Sequence, residues 1–486
     1  MKLSRALFAV ALALVFAAPA FAETQNVKVS GSIDAYWFYR DNYDLLDNND
    51  ASVLPAGATL AGGGIPTQSH SGATTQRSEA DDYFRTNTQV EVSADLTDNV
   101  SAVVNLVNQR DWNAGSLAPN ATGGVTESTS ATNATNEFDI ELDLAYVQMK
   151  EIFYSPLTLT IGRQDLWFGR GFIVGNNWRA WDQQGITQAD EYSTTTAFDA
   201  IRATLDFNPW TLDFVYSKIT EGSTNPENDR DLYIANVNYK FSEYNAVAEA
   251  YYVGEVDRNQ LASSSGTFNN ETDTFGGRVQ FDPISQITLG GELAYQTGDY
   301  RGSLTAPTRD RAAWAADIFG TYRWDYTWKP SATVEYVYFS GEEDLGSAAT
   351  TEYGSWNGLY RGHFWTAYAD FREFVYATAQ ADDQPATTNS EFIQVKGAIK
   401  PLDDLLIEAT YTYLWTPERV HKTAGDLSSS TENNHIGSEV DVQVTYDYTE
   451  DVSFGILAGW FIPGNFYISP NDATAADVVS SVKVTF

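Results

Sequence analysis

Cysteine is absent from the 486 residues and methionine occurs only twice, which excludes a disulfide scaffold, haem attachment and thiolate metal sites. Basic residues are scarce beside acidic ones, 29 against 65, and the formal charge of −36 excludes a basic nucleic-acid-binding surface. The bland reading of that acidity is a solvated loop surface. Histidine is confined to His70, His363, His421 and His435, all read as loop residues. Ser355 and Asp370 flank His363, but no motif frames a nucleophile and its base, so an enzyme is not expected. Beyond the N-terminus no run is long and apolar enough to cross a bilayer as a helix. Ala61–Gly64 lacks the Lys/Ser pattern that cradles phosphate, and acidic Asp41–Asp50 lacks the fixed spacing of a helix-loop-helix calcium site. Neither a cofactor nor a metal is expected.

What is present begins with an export signal. Lys2 and Arg5 precede an apolar run from Ala6 to Ala18, and Ala20-Phe21-Ala22 is a small-x-small cleavage site. Residues 1–22 therefore read as a signal peptide, with the mature chain starting at Glu23. Aromatic residues make up 14%, including 28 Tyr and 13 Trp, in keeping with interfacial girdles. At the far end, Val478, Val482, Val484 and Phe486 alternate with Ser481, Lys483 and Thr485. Period two marks a strand between two different solvents. An exported chain with no helical anchor can span a membrane only as a closed barrel, whose backbone groups are all paired.

The same alternation opens the mature chain, with Val27, Val29, Gly31, Ile33, Ala35 and Trp37 on one face. A second strand from Phe84 to Leu96 and a third from Val100 are joined by the tight turn Thr97-Asp98-Asn99. Short turns recur at 154–156, 208–209, 242–244, 282–283, 325–326, 401–404 and 447–449. Between them lie long polar stretches at 41–82, 113–136, 169–195, 220–230, 257–271, 298–309, 341–390, 416–435 and 464–476. Short turns on one rim and long loops on the other predict an all-β, up-and-down antiparallel transmembrane barrel with its short side periplasmic. The count is eighteen strands if Gly341 to Ser390 contributes none. Residues 23–486 then form one barrel domain.

Parity assigns the faces. Ile287, Leu289, Leu293 and Tyr295 point to lipid with Glu292 inward; Val440, Val442 and Val444 point to lipid with Glu439 and Asp441 inward; Val334, Tyr336 and Tyr338 point to lipid with Glu335 inward. Arg85, Arg278, Arg323, Lys240, Lys396 and Lys483 join the inward set, as do Asp34, Glu91, Glu249 and Glu408. Strict alternation places Arg163 with Leu159 and Ile161, toward lipid; a bulge starting at Gly162 would turn it inward, and this is the reading preferred.

Two stretches resemble the alginate-export family of outer-membrane proteins. One runs from Ile161-Gly162-Arg163-Gln164-Asp165-Leu166-Trp167-Phe168-Gly169 through Gly171-Phe172-Ile173-Val174-Gly175 to Phe198-Asp199-Ala200-Ile201-Arg202. The other is Ser340-Gly341-Glu342-Glu343 followed by Trp356-Asn357-Gly358-Leu359-Tyr360-Arg361-Gly362-His363. The resemblance implies an eighteen-stranded porin in which inward Arg163 and Arg202 would select anions, since guanidinium forks pair with carboxylates. The inward acids depart from a uniformly positive duct. A channel for polar, anionic or saccharide solutes is therefore expected, with a plugged structural or adhesive barrel as the alternative.

Within Gly341 to Ser390, Phe364, Trp365, Tyr368, Phe371, Phe374 and Tyr376 are too aromatic for a free external loop. That segment, with Trp356, Tyr360, Arg361, His363 and Asp370, is expected to fold into the lumen as a lid or constriction. The partners implied are the lipid and lipopolysaccharide of a bacterial outer membrane, a polar or anionic solute or oligosaccharide, and barrel-assembly machinery at the closing strand.

Overall fold

The computed structural model describes residues 26–42, 45, 81–112, 140–154, 156–177, 192, 196–221, 229–258, 269–301, 307–342, 351–369, 388–418, 433–467 and 472–486. The signal segment and much of the long loops, including Asp370, Phe371, Phe374, Tyr376, His70, His421 and most of the acidic 41–50 stretch, lie outside these residues.

In chain order the strands are β1 (Asn26–Asp41), β2 (Asp81–Thr97), β3 (Val100–Asp111), β4 (Glu141–Met149), β5 (Leu157–Gln164), β6 (Phe198–Asp206) and β7 (Trp210–Thr220). They continue with β8 (Arg230–Lys240), β9 (Val247–Asp257), β10 (Asn270–Ile284), β11 (Ile287–Thr297), β12 (Asp299–Tyr300), β13 (Arg309–Arg311) and β14 (Ala313–Arg323). The last are β15 (Ser331–Phe339), β16 (Glu352–Tyr353), β17 (Ser390–Leu402), β18 (Leu405–Trp415), β19 (His435–Asp447), β20 (Val452–Pro463) and β21 (Ala475–Thr485). β12, β13 and β16 make a small separate sheet; the other eighteen strands form one sheet. Every neighbouring pair of these eighteen is antiparallel, and β1 pairs with β2 on one edge and β21 on the other, so the sheet closes. Closure removes the edge that an open sheet would leave unpaired.

The seam shows why sequence and closure agree. Ile33 lies opposite Val484 and Asp34 opposite Lys483, apolar on one face and charged on the other. Past the last ladder pair, Gly31 and Phe486 exchange both backbone hydrogen bonds, at 2.9 and 3.0 Å. A Cβ on Gly31 would stand 2.8 Å from the Phe486 ring, so the chain terminus docks only where a glycine leaves room.

Outward positions are apolar and exposed, as at Val29, Phe214, Leu293, Val334 and Ile456. This is the surface a bilayer would solvate. Glu292, Glu335, Glu439 and Asp441 are buried, on the parity opposite to these exposed apolar positions. Two expectations need correction. The ladder runs through Gly162 without a register shift on either side, so no bulge begins there. The irregularity lies one strand away, where Asp143 of β4 is skipped between the Asn105–Leu144 and Leu106–Leu142 pairs. His435, read as a loop residue, is the first residue of β19.

Candidate functional site

Two of the long connections turn inward instead of outward. Residues 165–177, following β5, and 354–369, following β16, dip between the walls and bind each other. Gly175 and Asn176 donate to the carbonyl of Tyr360 at 2.8 and 3.0 Å, Tyr360 donates to Ile173 at 3.1 Å, and Gly362 donates to Gly171 at 2.8 Å. Backbone groups withdrawn from water need such partners, and here each segment supplies them to the other.

Around this pair the inward side chains form layers. Toward the long-loop rim many are apolar: Phe198, Ile234, Val337, Phe339, Phe392 and Phe461 pack with Phe172, Val174, Trp356, Tyr360 and Trp365 of the segments in one buried cluster, beside buried Glu255 and Glu439. Phe172 stacks on Phe339 at 5.5 Å, and Tyr368 on Phe461 at 5.2 Å. Lower, the same stripe becomes charged. Arg202 donates to Asp213 at 2.9 Å, Arg278 to Glu249 at 2.6 Å, and Lys396 lies 2.7 Å from Glu408. The sequence pointed to polar inner walls throughout. The apolar upper layer departs from that because protein, not water, fills the space it faces.

The segments are held to the wall at identifiable points. Arg170 places one nitrogen 2.7 Å from Asp317 and another 2.8 Å from Glu335, with its guanidinium 4.1 Å from the Phe319 ring centroid. The fork geometry of arginine suits such double engagement. Glu439, fully buried, takes the N–H of Tyr368 on one oxygen and of Ala369 on the other, both at 2.7 Å. Asp441 accepts the N–H of Ala367. Three consecutive main-chain donors thus converge on two wall carboxylates, the arrangement of an anion-binding nest. The Trp365 indole donates to Glu335 at 2.8 Å, Gln394 donates to the Trp365 carbonyl at 2.7 Å, and Tyr360 donates to Glu255.

Of the residues singled out by sequence, Arg202, Arg278, Glu292, Glu335, Glu439 and Asp441 gather around the inward segments. Tyr251 donates to Glu292 at 2.7 Å. Arg323 and Lys396 line the lumen nearer the short turns, where Arg323 donates to Thr288 at 2.9 Å. Arg85 sits apart on β2, 5.4 Å over the Phe38 ring. Arg163 keeps the ladder parity of outward Ile161, but its side chain is only 14% exposed and lies 3.8 Å from exposed Asp199 at the end of a short strand. Trp356, Tyr360 and Arg361 are almost wholly buried, and Arg361 lies 5.1 Å from the centroids of both Phe364 and Trp365. His363 packs on Trp365 at 4.7 Å, while the Ser355 hydroxyl engages Thr388.

Arg170, Asp213 and Asp317 were missed. Arg170 stands between two glycines in a stretch read as loop, and the only local signal was a lone cation at that point. The inward parity of Asp213 and Asp317 on their strands was readable.

Comparison with solved structures shows the same fold. OccK11 (OpdR) of Pseudomonas aeruginosa is 8% identical with a TM-score of 0.52, over 95% of this chain and 96% of that one. OpdK of the same organism, in a structure with vanillate, is 10% identical with a TM-score of 0.51, over 95% and 100% of the two chains. OccK8 (OprE), also from Pseudomonas aeruginosa, is 12% identical with a TM-score of 0.50, over 95% and 98%. A search of curated proteins finds no match. The sequence model of alginate export matches residues 66–481, almost the whole barrel. The chain belongs to the alginate-export family, as a closed eighteen-stranded porin-like barrel of the outer membrane.

Proposed function

We propose that this outer-membrane channel passes polar solutes with a preference for those bearing carboxylates, saccharide acids among them, through a lumen regulated by the two inward segments. One observation carries the reading. Three guanidinium groups gather at Phe168–Arg170 of the 165–177 segment: Arg202 stands 5.3 Å over the Phe168 ring, Arg278 Nε is 3.2 Å from where a Cβ on Gly169 would lie, and the third is that of Arg170. Each is also engaged by a wall carboxylate, Asp213, Glu249 or the Asp317–Glu335 pair. A solute carboxylate can exchange with these internal partners at little net cost, because one charge-assisted contact replaces another. A ring of fixed acids alone would repel it.

The packed upper layer favours a second reading, a plugged barrel with a structural or adhesive role. Planar-bilayer recording separates the two. An open trace whose reversal potential in a salt gradient favours anions supports the first reading, and R202A or R278A should move that potential toward cations. A trace that stays closed defeats the channel; an unmoved potential leaves the arginines as wall braces only. On this reading residues 341–390 act as the lid. The outward apolar band meets lipid and lipopolysaccharide, and the closing strand with Phe486 is the contact for barrel-assembly machinery.

A further inference from the structure

Exposed large apolar side chains of this molecule fall almost entirely on the barrel strands, on residues adjoining them, or in the short turns. Trp167 is the exception among the described residues: it is 51% exposed and lies on the inward hairpin. Its chain neighbours fix its depth. Phe168 lies under Arg202, and Gly169 abuts Arg278 and Glu249, all inward-facing wall residues below the apolar layer. An indole there stands in the aqueous part of the lumen, where exposure of its ring is unfavourable without something to cover it.

The ring is not loose. Cβ atoms built on Gly171, Gly175 and Gly362 would fall 2.5, 2.8 and 2.7 Å from its six-membered ring, so three glycines from both inward segments form its seat. Any side chain at those positions would unseat it. Gly171 also holds a left-handed backbone, φ 77°, at the turn of the hairpin. The indole N–H meets no acceptor among the described residues. One side of the ring is thus clamped against bare backbone, the remainder is open to the lumen, and a hydrogen-bond donor is left at its edge.

We infer that Trp167 is a stacking platform for a pyranose ring of a saccharide passing through the lumen. A sugar ring offers an apolar face of C–H groups to the indole and hydroxyls to its N–H, and an aromatic with one polar handle is suited to both. A backed ring needs no reordering on binding, which keeps the entropic cost low. Arg202, 5.3 Å over the ring of the next residue Phe168, supplies a cation in the same stretch of the lumen for the carboxylate of a uronate. The inference rests on the reading of the lumen as a solute path and names the ring on which that solute pauses.

The test is calorimetric titration of the full-length protein in detergent micelles with a hexauronate and with a neutral hexasaccharide. The wild type should bind the hexauronate more tightly than the neutral sugar; W167A should weaken hexauronate binding about tenfold, and W167F by no more than about threefold. Affinity unchanged in W167A overturns the platform. So does an equal loss in W167F and W167A, which would report damage to the hairpin instead of a lost ring face, or an absence of binding by the wild type. Conductance of the same preparation is read separately: binding with a closed trace would count against the channel and leave the platform standing.

Discussion

The upper and middle layers of the lumen are built on the same strands with the same inward parity, yet they are chemically opposite. On β15, Phe339 and Val337 face the packed segments while Glu335, two residues lower, faces Arg170 and Trp365. On β20, Phe461 lies under Tyr368 and Gly459 leaves space beside Asp441 and Glu439. The change occurs within the depth that the inward segments fill, since Glu335 meets Arg170 and Trp365 while Glu439, paired with Phe461 across the ladder, meets Tyr368 and Ala369. An inner wall therefore takes its character from what it faces: apolar positions meet the rings of the segments, and buried carboxylates meet their main-chain donors and Arg170. The apolar layer holds the segments in place by burial, whereas the charged layer holds them through directed contacts that a solute can imitate.

The strongest way to break this comparison is to remove what the upper layer faces. Replacing 354–369 with a short Gly/Ser linker leaves Phe339, Phe392 and Phe461 without cover and opens the lumen. Single-channel conductance should rise on the order of twofold or more. An unchanged current would show that these residues do not form the barrier. A smaller effect is expected from E439A, which leaves the buried N–H groups of Tyr368 and Ala369 without their acceptor, at about 1–3 kcal/mol for each unsatisfied group. The segment should loosen and the open probability increase, with E439Q intermediate because it keeps one acceptor oxygen. Equal gating in wild type and E439A would remove the nest from the account.

Much of the architecture was readable because it is written locally. Period-two alternation and turn chemistry are properties of a few neighbouring residues, and they yielded eighteen strands, the closing pair and the two unlike rims. The aromatic content of Gly341 to Ser390 marked one segment that turns inward, whereas 169–195 read as an outer loop and nothing marked that the two bind each other. What stayed hidden is carried by distant pairs. Arg170 meets Asp317, 147 residues further on, and no spacing rule connects a loop cation to a strand acid at that range. The bulge expected at Gly162 is absent, and the extra residue sits instead in β4 at Asp143, where no glycine or proline flags it. The apolar upper layer was visible as parity, but nothing in the strands says what will cover it.

If charge pairs matter here because they are enclosed, an equally close pair outside the lumen should be silent. Lys329 on the turn between β14 and β15 lies 3.1 Å from Asp403 on the turn between β17 and β18, with their side chains 65% and 97% exposed. Water screens such a pair, and holding two mobile side chains together offsets most of the attraction. K329A should leave conductance and reversal potential where they were and shift the melting curve by less than it resolves. Arg278 and Glu249, 2.6 Å apart and largely shielded from water, differ from that pair mainly in enclosure and in facing the solute path. A change of ion selectivity in K329A comparable to that of R278A would place control at the short-turn rim, and the layered lumen would no longer be the seat of selection.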